Sequence, residues 1–138
     1  MWWIYALFSA FFAALTAIFA KIGIKNVDTD LATAIRTVVI LILAWSIAFF
    51  RGGTNTISTL TRHNLLFLVL SGIATGLSWI FYFKALQLGK VSQVAPIDKL
   101  SVALAIIFSI VFLGETLALK TALGAVCIIV GTIIIIII

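Results

Sequence analysis

The stretch LALKTALGAVCIIVGTIIIIII, Leu117 to Ile138, decides the fold of this chain. Its closing run, Ile133–Ile138, is entirely β-branched and in water would suggest a strand. In hydrocarbon an unpaired strand leaves its backbone N–H and C=O groups without partners, so a helix is required. The length agrees, because a bilayer core takes about 20 apolar residues per helix. Four more runs of that kind precede it: Trp2–Ala20, Leu31–Phe50, Leu65–Phe83 and Val91–Leu113. The reading is therefore all-α: a polytopic membrane protein, a bundle of five transmembrane helices, in one domain over residues 1–138.

Composition says the same. Of 138 residues, 64% are hydrophobic and 9% charged, and the mean hydropathy is +1.36. A soluble domain is about 45–50% apolar and about 25% charged. Only lipid can act as solvent for so apolar an outer surface. The net charge is +5, but the basic residues are scattered between apolar runs and read as loop anchors, not as a nucleic-acid footprint. Met1-Trp2-Trp3-Ile4 has no basic n-region, so the first run is expected to be a retained helix and not a signal peptide. Trp2 and Trp3 suit an interfacial aromatic belt.

The polar joints are short. Lys21–Asp30, Arg51–Asn64 and Lys84–Lys90 are the first three, and Gly114-Glu115-Thr116 is barely a turn. An odd number of spans puts the termini on opposite sides. The N-terminal side then carries Arg51, Arg62 and Lys120. The other carries Lys21, Lys25 and Lys90, with Lys84 at the boundary. That balance gives almost no positive-inside signal. It is what a chain inserting in both orientations would show, or loop charges that fail to report a fixed topology.

Ionisable groups inside a span are costly and mark function by default. Arg36 lies early in the second run, and Asp98 and Lys99 lie early in the fourth. At about 1.5 Å rise per residue the helix-four pair sits on the order of 10 Å below the helix end. Arg36, Lys84, Asp98 and Lys99 all fall in the membrane half opposite the N-terminal side. Arg and Lys can snorkel to the interface. Asp98 has too short a side chain to do so. Helical periodicity groups Asp98, Ser101, Ala105 and Ser109 in one stripe, and Ser71, Thr75, Ser78 and Tyr82 in another, with Gly72, Gly76 and Trp79 beside it. Small residues suit close helix packing, above all Gly72-x-x-x-Gly76. Tyr82, Trp79 and Asp98 suit a lined cavity better. Pro96 removes one backbone N–H and can kink the fourth helix beside the charged pair.

Several chemistries are not written here. Cys127 has no second cysteine to pair with. The single His63 sits in a joint, and no His/Cys/Asp grouping suggests a metal site. No Ser has a His partner at membrane depth, and no Gly-rich phosphate loop is present. An enzyme is not expected, nor is a cofactor.

Three segments carry a family resemblance: Phe81-Tyr82-Phe83-Lys84-Ala85-Leu86-Gln87-Leu88-Gly89, Val94-Ala95-Pro96-Ile97-Asp98-Lys99-Leu100-Ser101, and Phe112-Leu113-Gly114-Glu115-Thr116-Leu117. With Arg36 and the Gly124/Gly131 spacing of the last run, the chain resembles the EamA domain of the drug/metabolite transporter superfamily in its short, five-helix form. The resemblance covers essentially the whole length. It implies a secondary transporter of small organic solutes in a prokaryotic cytoplasmic (inner) membrane, working by alternating access. Larger relatives carry two inverted halves, so one half would need a partner: an antiparallel homodimer or a paired homologous subunit. Small multidrug exporters use a glutamate in their first helix, which is missing here, leaving Asp98 as the intramembrane carboxylate. On this reading Arg36, Ser78, Trp79, Tyr82, Asp98, Lys99 and Ser101 line the pathway. Pro96 kinks a helix, and Gly72, Gly76, Gly124 and Gly131 serve packing. A non-transporting accessory or scaffold subunit is the rival expectation. It differs in burying Asp98 in a closed ion pair.

Overall fold

A computed structural model describes residues 1–137. Ile138, the last residue of the expected final span, lies outside the described residues. The described chain is helical, with no strand among its elements. In order these are α1 (Trp2–Gly23), α2 (Thr29–Phe50), a short 3₁₀ segment (Gly53–Thr59), α3 (Arg62–Leu88), α4 (Val91–Asp98), α5 (Leu100–Leu113) and α6 (Leu119–Ile137). Five spans are long and apolar enough to cross a membrane, with α4 and α5 together forming the fourth. The chain is an all-α polytopic membrane protein.

The described residues fall into two compact units. One comprises Met1–Ala17 and Leu88–Ile138, the other Ile18–Gln87. In the first, α6 packs along both α4 and α5, and Ala17, Ala103 and Thr132 are buried. In the second, the buried residues are Ile24, Thr29, Thr33, Phe83 and Leu86. Most apolar side chains of the spans remain exposed. A soluble protein could not tolerate this, but a surface meeting lipid or partner helices requires it.

Several boundaries differ from the sequence reading. The third helix was expected over 65–83, yet α3 starts at Arg62 and runs on to Leu88. Lys, Ala, Leu and Gln are all good helix formers, so the fall in hydropathy at Lys84 ends the apolar run without ending the helix. The supposed polar joint therefore contains Leu86, the most deeply buried of the described residues. The Arg51–Asn64 joint also holds structure. Gly52 takes a left-handed conformation at φ 71°, which releases the chain from α2 into the 3₁₀ turn. The final helix starts at Leu119 and not at Leu117, because Gly114, at φ 67°, caps α5 and residues 115–118 lie outside any helix.

The joint between α1 and α2 is held from α3. The side-chain amide of Gln87 donates to the carbonyls of Ile24 (3.3 Å) and Val27 (2.9 Å). The Lys21 ammonium donates to the Leu86 carbonyl. These are carbonyls at or just beyond helix C-termini, which have no intrahelical partner. At the start of α2 the Asp28 carboxylate accepts from the N–H groups of Asp30 (3.0 Å) and Leu31 (2.9 Å), an N-cap.

Candidate functional site

Arg36 lies two turns into α2, about 10 Å from its start at the usual helical rise. Its guanidinium carbon stands 3.2 Å from the centre of the Trp79 ring and 5.2 Å from that of Phe83. Trp79, Tyr82 and Phe83 are spaced i, i+3, i+4, which places them on one face of α3. The three rings pack against one another. Trp79 lies 5.6 Å from Phe83 and 6.0 Å from Tyr82, both edge to face, and Tyr82 and Phe83 are 6.4 Å apart. Phe83 is buried, and Trp79, Tyr82 and Arg36 are partly so. The sequence reading named Trp79 and Tyr82 but not Phe83. The signal was available, since Phe83 lies one helical turn from Trp79.

A guanidinium against an indole face gains a cation–π attraction that strengthens as water is excluded. Stacking uses the flat face of a guanidinium and keeps its in-plane N–H donors available for other partners. Among the described residues the one ion pair is Lys99–Asp98, so no carboxylate neutralises Arg36.

The second polar locus belongs to the other unit. The fourth span is broken: α4 ends at Asp98, α5 starts at Leu100, and Lys99 forms the joint with ψ near 0°. Pro96 lies three residues upstream of that joint; it cannot donate to the Ser92 carbonyl, and its ring crowds that carbonyl. The Lys99 N–H folds back onto the Pro96 carbonyl at 3.0 Å. The same carbonyl accepts from the Thr132 hydroxyl of α6 at 3.3 Å. The fourth span is thus interrupted by a one-residue turn at Lys99, three residues after Pro96, and the Pro96 carbonyl faces the Thr132 hydroxyl of α6. At the break, Lys99 and Asp98 pair at 3.4 Å, with side chains 55% and 35% exposed.

The remaining expected residues are distributed differently. Ser78 and Ser101 are exposed. Thr75 donates to the Ser71 carbonyl of its own helix at 2.8 Å, and Thr33 and Thr37 do the same on α2. Such back-bonding satisfies a hydroxyl without a partner helix. At Gly72, Gly76, Gly124 and Gly131 an added Cβ would meet nothing within 4 Å, so these faces are open within the chain. A concavity of about 520 Å³ at the α1–α2 joint is lined by Lys21, Ile24, Lys25, Asn26 and Gln87. Residue spacing could not reveal it, because Gln87 is far off in the chain. No group of three His, Cys, Asp or Glu gathers among the described residues.

The five long apolar helices define a multi-pass integral membrane protein. The chain belongs to the EamA-like transporter family, whose profile matches residues 1–137. Over 123 residues it is 50% identical to an uncharacterized transporter in the cobO 3' region of a Sinorhizobium species. That match covers 89% of this chain and 87% of the relative. Over 69 residues it is 35% identical to an uncharacterized protein of Methanocaldococcus jannaschii, a match covering half of each chain. No solved structure matches the chain.

Proposed function

We propose that the protein is a secondary active transporter of small organic solutes in a prokaryotic cytoplasmic membrane, working by alternating access as an antiparallel homodimer. It is not an enzyme on this reading. The supporting observation is the broken fourth span. A scaffold would bury Asp98 and Lys99 in a closed ion pair, since unpaired charge in hydrocarbon is costly. Here the pair is half open, at an interruption of the helix. Interrupted helices recur where transporters bind solutes and coupling ions. Membership of a transporter family supports the same reading.

The dimer follows from what one chain lacks. Five spans leave most of their apolar surface exposed, and the open faces at Gly72 and Gly76 leave room for close approach of another helix. An inverted second copy would supply the missing half, and the balanced loop charges permit both orientations. Arg36, Trp79, Tyr82, Asp98, Lys99, Ser78 and Ser101 are assigned to the pathway.

The test is uptake by proteoliposomes containing only this purified chain, assayed over a panel of organic anions, cations and zwitterions under imposed proton or sodium gradients. Gradient-dependent, saturable uptake of one class is expected. A chain that leaves every gradient and solute unaltered, while remaining folded and dimeric, contradicts transport and favours the scaffold.

A further inference from the structure

The geometry around Arg36 points to a recognition site for a carboxylate or phosphate group: we propose that the guanidinium, held face-on by Trp79, presents its N–H edge to the oxyanion of the transported solute. The proposal rests on the transporter reading and names its substrate class.

Arg36 is held by aromatic rings. Its guanidinium carbon is 3.2 Å from the Trp79 ring centre and 5.2 Å from that of Phe83. Contact at that distance requires the planar group to lie against the indole. A stacked guanidinium loses rotational freedom, and its donors are confined to the plane, where they match the two oxygens of a carboxylate or phosphate. Tyr82 and Phe83 buttress the indole, with Trp79 5.6 Å from Phe83 and 6.0 Å from Tyr82, so the platform is itself fixed. Binding therefore meets a donor fork that is already oriented, which lowers the ordering cost.

The described residues hold one ion pair, between Lys99 and Asp98, and Arg36 takes no part in it. A permanent cation at membrane depth is costly, and stacking on aromatic rings offsets only part of that cost. An anion is the complement to a cation held in this way. A lipid headgroup carries the same oxyanion, but it sits at the interface, whereas Arg36 lies about 10 Å into α2. A solute in the pathway is the better match to that depth.

The alternative occupant is cationic. An aromatic trio also accepts organic cations, and Arg36 would then be a resident plug that such a solute displaces. The two ideas make opposite demands on Arg36.

The test uses full-length protein with Trp2, Trp3 and Trp45 each changed to Phe, so that Trp79 is the single indole reporter. In a phosphate-free maltoside detergent its fluorescence is titrated, at constant ionic strength, with benzoate, inorganic phosphate, tetramethylammonium and, separately, phosphatidylglycerol. The expected result is a saturable response to a soluble anion. Arg36→Lys weakens it by about tenfold or more, because charge is kept but the planar fork is lost, and Arg36→Gln removes it. Circular dichroism and elution volume establish that each variant is folded. Saturation by tetramethylammonium alone, by phosphatidylglycerol alone, or by none of the four overturns the proposal. Failure of the site and failure of the transport reading are separable. Uptake at full rate by Arg36→Gln removes the site and leaves transport standing. Saturable anion binding with no uptake by any liposome does the reverse.

Discussion

The Thr132 hydroxyl of α6 donates to the carbonyl of Pro96 at 3.3 Å, across the interruption of the fourth span. Thr132 is 3% exposed, and its single hydroxyl proton is shared with the Ile128 carbonyl of its own helix, the shorter contact at 2.8 Å. The Pro96 carbonyl accepts from the Lys99 N–H at 3.0 Å, and the Thr132 hydroxyl of the adjacent helix is its second, longer contact. The break is therefore fastened, and α6 is the fastening element.

Thr132→Val keeps the shape and removes the donor. Interhelical hydrogen bonds in membranes contribute about 0.6 kcal/mol on average and up to about 2. The variant should lose about that much stability in a detergent-unfolding titration. An unfolding midpoint equal to that of the parent protein would mean that the contact is incidental.

Gln87→Leu removes the amide that serves the Ile24 and Val27 carbonyls. A polar group left without its partner costs about 1–3 kcal/mol when water cannot replace it. Gln87→Glu should fare no better, because a carboxylate has no N–H to offer. Thermal unfolding of both variants is the measurement, and a stable Gln87→Glu protein counts against the account.

Asp28→Ala should cost about 1 kcal/mol through the loss of the α2 N-cap, and Asp28→Ser should recover most of it. Equal melting temperatures for the two variants would assign Asp28 another role. The prediction is independent of transport.

Asp98 is the carboxylate available for coupling at the break. Its pair with Lys99 is open to about one third on the Asp side. In proteoliposomes Asp98→Asn should flatten the pH dependence of uptake and reduce proton-driven accumulation by at least about tenfold. Full pH-dependent transport by Asp98→Asn would remove it from any coupling scheme.

The five spans were legible because hydropathy is a long-range average, and lipid permits only helices for runs of this length. What was illegible followed from treating hydropathy as a helix boundary. Lys84 marks where α3 stops being apolar, yet the helix continues through Leu86 and Gln87, which bury a side chain and tie down the α1–α2 joint. Depth along a helix placed Arg36, Asp98 and Lys99 in one half of the membrane. Depth does not choose partners, and a stacked pair such as Arg36 with Trp79 depends on how two helices are rotated. Pro96 did announce a disturbance, but only the neighbouring helix decides whether its carbonyl meets water, solute or Thr132. The glycine faces were legible as small-residue stripes, while their openness within the chain was not.

The central claim is that this chain is one half of a transport pathway completed by an inverted copy. The direct measurement is accessibility of a single cysteine from each side of the membrane. The parent would carry Cys127→Ser, with Asn55→Cys in the joint between α2 and α3, and intact cells would be treated with an impermeant thiol reagent before and after permeabilisation. The account predicts two populations of comparable size, one labelled from outside and one only after permeabilisation. Labelling of all copies from one side alone would contradict the antiparallel homodimer.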